Sequence, residues 1–259
     1  MTSPQEPLSL PLTVHCGPIR WSASWPMTLL ALLAVVAFIS LGRWQWHRAA
    51  EKRALAAQFH AGGAQLLAVT HQPTAPLPRY SHVRIEGQYD AAHQFLLDNM
   101  SHAGYPGYEV LTPLKLADGR AIVVNRGWVP LTQSRRQLPQ IDIPIALRTS
   151  ATVVGLLDNL PVAALAMGHV APAPGATWPK LTSFPTMTDL SSALGVPLES
   201  RQLLLDADQP AGYLREWKAS GFGPAQHISY AIQWWAFAAL TLVLYALLNR
   251  RREAPGAPR

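Results

Sequence analysis

His227 is an ionisable side chain at the start of the last long apolar stretch of the chain. No charged residue occurs from Ile228 to Leu248, about 20 residues or roughly 30 Å of helix, which matches the hydrocarbon thickness of a bilayer. Tyr230 and Trp234 follow on the same helix face. An ionisable residue at the mouth of a membrane span is a candidate for function. The alternative is an interfacial histidine within an aromatic belt, and the pattern does not choose between the two.

A second candidate is the segment Asn125-Arg126-Gly127-Trp128-Val129-Pro130, which follows an apolar run. One interpretation is structural: Gly127 permits a bend, Trp128 anchors it and Pro130 ends a strand. The other is a presented loop, in which Arg126 meets a partner or an anionic group. On this second interpretation Arg126 and Trp128 are partner-binding residues.

Signatures of common enzyme sites do not occur in the sequence. It contains no glycine-rich phosphate loop, no His-Glu-x-x-His and no Gly-x-Ser-x-Gly. Asp206 and Asp208 are expected at a solvated strand end. His82, His93 and His102 match no ligand spacing and are expected on polar faces. We therefore predict that the chain is not an enzyme and has no catalytic residues.

Composition indicates a soluble-sized body with a membrane attachment. The chain has 259 residues, 49% of them hydrophobic, but a mean hydropathy of only +0.09, too low for a polytopic transporter. The single cysteine, Cys16, excludes an internal disulfide and a thiolate zinc cluster. A net charge of +6 could suggest nucleic acid, but much of the excess borders the apolar runs, which favours lipid phosphates. These cations are Arg43, Arg48, Lys52, Arg53 and Arg250 to Arg252.

The N-terminal part predicts a tail, a first span and a helical extension. Residues 1–24 are rich in Pro and Ser and predict a loose cytoplasmic tail. Residues 25–42 predict a transmembrane helix; a secretory signal peptide is the rival interpretation, with no clear small-x-small cleavage site to support it. Residues 43–78 predict a juxtamembrane helix and a Pro-rich linker, with Trp44 and Arg48 on one helix face. Those two residues fit the headgroup zone, either as a simple anchor or as part of a site.

Residues 79–226 predict one extracytoplasmic α+β domain with a largely antiparallel sheet, followed by a transmembrane helix over 227–248 and a cytoplasmic tail over 249–259. Thr186 and Gly195 bracket a short helix over Met187–Leu194. Alternating or apolar runs predict strands over 83–89, 93–98, 108–116, 120–125, 149–157 and 201–206. The fold class is thus a membrane-anchored α+β protein in which two transmembrane helices flank a β-rich domain.

An ordered set of motifs resembles one known family. It comprises Leu41-Gly42-x-Trp44-Gln45-x-x-Arg48 with Lys52, Val124 to Pro130, and His227-x-x-Tyr230-Ala231-x-Gln233-Trp234, with further similarity over Val83 to Asp90 and Gly104 to Pro113. The set resembles a bacterial-type member of the surfeit locus protein 1 family. The similarity covers roughly residues 25–248. Each motif is weak alone, and their order makes the match fairly specific.

The resemblance implies an assembly factor for haem-copper cytochrome c oxidase. It implies transient binding of haem a and its delivery to oxidase subunit I, with haem a synthase as a further possible partner, and it places a large periplasmic domain on the inner membrane. In bacterial relatives a His at the start of the second span is implicated in haem binding, and here that position is His227. Neutral imidazole is a common axial ligand of haem iron.

Roles for the residues around His227 are hypotheses. Tyr230, Trp234 and Trp44 are expected to flank the macrocycle, and Arg48 to meet a propionate. Two alternative functions stay open: a haem-free membrane scaffold for oxidase subunits, and a membrane-tethered extracytoplasmic hydrolase. Besides the lipid bilayer and oxidase components, no nucleic acid partner is expected.

Overall fold

A computed structural model describes residues 12–16, 19–62, 65–69, 72–132, 137–162, 168–219 and 223–252. The chain divides into two compact units, one formed by residues 1–54 and 221–259 and the other by residues 55–220. Two helices, Trp25–Gly62 and Pro224–Leu248, are long and apolar enough to cross a membrane, and few residues of their apolar windows are buried. Exposed apolar surface of this length distinguishes them from core helices of a soluble protein. The predicted membrane-anchored α+β class is confirmed.

The first unit contains a helix pair and a small sheet. Helix α1 is Trp25–Gly62, and the last helix, α4, is Pro224–Leu248. Strands β1 (Leu12–Cys16) and β2 (Ile19–Ala23) pair with each other, and β2 also pairs with the last strand, β11 (Arg250–Arg252). The prediction of a loose tail over residues 1–24 is therefore corrected for these two strands, whose β-branched and alternating residues suit a hairpin. Residues 1–11 lie outside the described residues.

Helix α1 confirms the predicted continuation of the first span into a juxtamembrane helix that ends at Gly62. Gly62 cannot accept a side chain, because a Cβ there would lie 1.9 Å from the Tyr80 carbonyl oxygen. Within the second unit the ring of Phe59, near the end of α1, packs edge-on against Tyr80. The helix that carries the second predicted span begins at Pro224, three residues before the predicted start of the span at residue 227, since proline suits a first helical turn.

The second unit is built on a mixed sheet. Its strands are β3 (Leu66–Val69), β4 (His82–Tyr89), β5 (Phe95–His102), β6 (Tyr105–Lys115), β7 (Ala121–Pro130), β8 (Ala151–Asp158), β9 (Lys180–Thr182) and β10 (Leu198–Leu205). Their order is β3-β4-β8-β10-β7-β6-β5-β9, and β4 also pairs with β6. The β3–β4, β10–β7 and β5–β9 pairings are parallel and the others are antiparallel.

The β4–β6 pairing closes a small barrel from β4, β8, β10, β7 and β6. Alternate residues of these strands fill its interior, among them Val83, Leu114, Val124, Val153 and Leu203. Beyond the barrel, β5 extends the sheet, and helix α3 (Met187–Leu194) covers one face of it through Leu190. The predicted cap residues of α3 are confirmed: Thr186 forms a capping box with Asp189, and Gly195 adopts φ 77°. A short helix, α2, spans Ile145–Thr149.

Candidate functional site

His227 lies in the first turn of α4 and is hydrogen bonded to α1. Its Nδ1 is 2.8 Å from Oε1 of Gln45, and both side chains are half-buried. Gln45 falls between Gly42 and Ala49, the two buried residues of α1, at helical steps of three and four. His227 precedes by one turn Ala231, which is fully buried. The hydrogen bond therefore belongs to the packed face of each helix.

Three contacts set the direction of the helix pair. Along α1, Thr28, Phe38 and Gln45 meet, in that order, Tyr245, Trp234 and His227 of α4. Residue numbers rise on one helix as they fall on the other, so α1 and α4 are antiparallel. The oxygens of Thr28 and Tyr245 are 2.6 Å apart, which places a polar contact near one end of the pair and the His227 contact near the other.

Aromatic side chains fill the space between these polar contacts. Trp234 stacks on Phe38 with ring centroids 5.8 Å apart and planes inclined by 21°, and it also meets Phe237 edge-on. Trp235 lies over Gly42, where a Cβ would be 2.2 Å from the indole nitrogen, and its ring also contacts Trp46. Gly42 is thus required for the close approach of the two helices.

Some of the residues predicted to surround the haem are packed between the helices, and others are exposed. Trp234 is half-buried within the aromatic cluster, whereas Trp44 and Tyr230 are 55% and 47% exposed. Arg48 is exposed and forms an ion pair with Glu51 at 2.5 Å. Gln45 is the residue that the sequence-based site lacked, although it lies inside the motif that carries the family resemblance. Its helical spacing from Gly42 and Ala49 was the available signal.

His82, His93 and His102, the three histidines weighed as a possible site in the sequence, have separate partners instead of a common site. His82 Nε2 is 2.6 Å from Asp206, and His93 Nδ1 is 2.9 Å from Asp90. His102 lies against the ring of Trp128, with centroids 5.5 Å apart. Over the described parts of the chain, His, Cys, Asp and Glu side chains form no group of three that could hold a metal ion. Asp206 directly follows β10, as predicted, and there it is half-buried against His82.

Arg126 is buried at 1% exposure inside the β-rich unit. Its Nε donates to the Ala211 carbonyl at 2.7 Å, Nη1 to Oε1 of Gln94 at 2.9 Å, and Nη2 to the Asp142 carbonyl at 2.8 Å. The guanidinium also lies 4.9 Å from the centre of the Tyr213 ring. Burial lowers the pKa of Arg126 from its ordinary value. These neutral acceptors come from separate chain segments, so the side chain ties loops to the sheet.

The Asn125–Pro130 segment is the second half of β7, and Pro130 is the last residue of the strand, as in the structural interpretation of the motif. A presented loop is therefore wrong for Arg126, whose guanidinium faces internal acceptors. Gly127 has φ 106°, and a Cβ there would lie 2.6 Å from the Leu214 carbonyl oxygen, which explains the glycine. Trp128 keeps partial exposure, its ring lies over Gly107, and its Nε1 donates to the Met100 carbonyl at 3.4 Å. Partner binding by Trp128 stays a prediction.

Glu109, on the neighbouring strand β6, belongs to a row of hydrogen-bonded polar side chains with Asn125 and Gln202. Asn125 Nδ2 donates to Glu109 Oε2 at 2.7 Å and to Gln202 Oε1 at 3.2 Å. Burial raises the pKa of Glu109, against the lowering effect of the Asn125 hydrogen bond. Sequence reasoning missed this row, because Glu109 is far from Gln202 along the chain.

Comparison with known proteins gives a consistent result over most of the chain. The model of the SURF1 family matches residues 32–239. A SURF1-like protein of Monosiga brevicollis is 27% identical over 243 residues, covering 85% of this chain and 87% of its own. Uncharacterised SURF1-like proteins of Mycobacterium bovis and Mycobacterium tuberculosis are each 28% identical over 191 residues, covering 71% of this chain and 68% of theirs.

Proposed function

The chain belongs to the SURF1 family, which is linked to cytochrome oxidase assembly, and from that premise we propose that it binds haem a at His227 and assists haem insertion into oxidase subunit I. The observation that carries this proposal is the hydrogen bond between His227 Nδ1 and Gln45 Oε1 in the first turn of α4. Histidines that ligate metals commonly donate their other ring nitrogen in this way.

The donor set around His227 fits a haem that binds transiently. The His227 imidazole would hold the haem iron, and a single protein ligand would permit release of the haem to the oxidase. Trp44 and Tyr230 offer exposed aromatic surface near His227 along their helices. Trp234, packed between Phe38 and Phe237, is suited to shape the wall that supports the site. Arg48 can exchange Glu51 for a propionate, because their ion pair is exposed and therefore weak.

The proposal is tested by the haem spectrum of protein purified from cells that make haem a. We expect His227→Ala to lose haem absorption while the protein still inserts, because alanine favours a helix. His227→Met is expected to keep some binding with a changed spectrum, since thioether also ligates haem iron. The matched control is His47→Ala, which removes an exposed histidine from α1. Unchanged haem content in His227→Ala contradicts the ligand assignment, and a wild-type protein without haem supports the haem-free scaffold.

The proposed location is the cell inner membrane, with the β-rich domain periplasmic and both termini cytoplasmic. Two antiparallel spans put both termini on one side, and Arg250 to Arg252 follow the positive-inside tendency. Four cations are then on the outer side, which long translocated domains tolerate: Arg43, Arg48, Lys52 and Arg53. The packing of α1 against α4 through Phe38 and Trp234 supports an uncleaved first span.

Reporter fusions test this orientation. A reporter that is active only in the periplasm, inserted at Gly175, is expected to be active, because Gly175 is exposed and open space surrounds it. The same reporter fused after Arg252 is expected to be silent. An active C-terminal reporter together with a silent reporter at Gly175 would show that the topology is the opposite of the proposed one.

A further inference from the structure

The polarity of the Gln45–His227 contact follows from the orientation of the Gln45 carboxamide. In the structure Oε1, which accepts hydrogen bonds, faces His227. In this orientation Nδ1 of His227, 2.8 Å away, carries the proton of the bond, whereas a flipped carboxamide would donate an Nε2–H to an unprotonated Nδ1. In a neutral imidazole the other nitrogen, Nε2, then holds the lone pair. An imidazole without such a contact exchanges between both tautomers.

Close packing of α1 against α4 restricts where the Gln45 and His227 side chains can lie. Gly42 and Ala49 are buried on α1, and Ala231 is buried on α4, so small residues hold the helices close on either side. The Gln45 carboxamide then contacts the imidazole directly. Helix packing thus places the Gln45 and His227 side chains within hydrogen-bond distance of each other.

From this geometry we infer that Gln45 is a positioning residue that holds His227 in the Nδ1-protonated tautomer and so presents Nε2 to iron. The binding of iron by Nε2 rests on the proposed function. The tautomer of His227, in contrast, is a property of the haem-free protein. Removal of a group that orients a metal-bound histidine typically lowers metal affinity by about 10- to 100-fold. Gln45→Leu removes the acceptor at similar size, whereas Gln45→Glu keeps an oxygen in place and makes it a stronger acceptor.

The first experiment measures the tautomer in haem-free, full-length protein labelled with ¹⁵N-histidine and held in lipid nanodiscs. The chain has 9 histidines, so the His227 signals are assigned by their loss in His227→Ala. We expect a protonated Nδ1 and an unprotonated Nε2 in the wild-type protein and in Gln45→Glu. Gln45→Leu is expected to show a mixture or the opposite tautomer. The control is Gln58→Leu, an exposed glutamine of α1, which should leave the signals unchanged.

The second experiment is a titration of the same proteins with haemin, followed by absorption. We expect Gln45→Leu to bind about 10- to 100-fold more weakly, and Gln45→Glu and Gln58→Leu to bind at least as well as wild type. A wild-type tautomer in Gln45→Leu, or an unchanged haemin affinity in it, overturns the inference. A wild-type protein that fails to bind haemin overturns the proposed function instead, and the NMR result still decides what Gln45 does to His227.

Discussion

In the helix pair His227 is held by a hydrogen bond to the Gln45 side chain, whereas in the β-rich domain Arg126 is surrounded by acceptors from several chain segments. Both groups are polar and both lie in packed regions. His227 is half-buried and hydrogen bonded through Nδ1, while Arg126 is fully buried and donates to internal carbonyl and amide oxygens. The first arrangement suits the proposed role of His227 as a ligand that exchanges a cofactor, and the second suits a group that fixes loops.

The comparison extends to what surrounds each group. Around His227 the helices meet through aromatic rings and small residues, which pack without strong directional bonds. Around Arg126, Gln94 accepts from the guanidinium and from the Thr112 hydroxyl, and its own amide donates to the carbonyls of Ala91 and Ile141. This satisfied network is expected to rigidify the domain, because a buried acceptor that loses its donor is costly.

The largest expected effect is that of Arg126→Ala. Each buried acceptor left without a donor costs roughly 1–3 kcal/mol, and the Arg126 guanidinium serves several of them. We therefore expect loss of the folded domain, measured as lower abundance in membranes and as lost thermal unfolding by near-UV circular dichroism. Arg126→Lys should be intermediate, since an ammonium lacks the planar fork.

The matched control for this prediction is Arg84→Ala, because Arg84 is exposed on β4 and its loss should be nearly neutral. Normal abundance of Arg126→Ala together with failed oxidase maturation would break the comparison. That result would return Arg126 to a role at a partner surface.

A smaller effect is expected for Trp128→Ala. The indole ring covers Gly107 and contacts His102, but it is partly exposed, so the cost in unfolding free energy is about 3 kcal/mol, at the lower end for tryptophan. Tyr105→Ala, at a site 70% exposed, is the control and should change little. Trp128→Phe, which keeps most of the packing, separates the two roles: a stable variant with reduced oxidase maturation supports partner binding by Trp128.

The smallest effect is expected in the helix pair, at the Thr28–Tyr245 contact. A double-mutant cycle of Thr28→Val with Tyr245→Phe should give a coupling energy of about 0.6 kcal/mol, typical of hydrogen bonds between membrane helices. Unfolding in detergent provides the measurement. Ser40→Ala replaces Thr28→Val in the control cycle, because the Ser40 hydroxyl bonds within its own helix, and no coupling is expected. A coupling as large as the cost of Arg126→Ala would remove the distinction between the two regions.

The sequence alone determined the elements whose signals are local. An uncharged apolar run predicts a span by its length, and Thr186 and Gly195 predict the bounds of α3 because capping depends on neighbouring residues. Alternation along β4 likewise predicts a strand with one buried face. The motif order also sufficed for the family, and His227 was found because a histidine beside an apolar run is conspicuous in sequence.

Only the tertiary structure decided which distant residues meet. The β4–β6 pairing that closes the barrel, and the parallel pairings of β3, β9 and β10, depend on registers that no local pattern encodes. Arg126 looked exposed because arginine usually is, and its burial required acceptors from as far along the chain as Ala211. Gln45 and His227 are 182 residues apart in sequence, so their hydrogen bond exists only because the two helices pack.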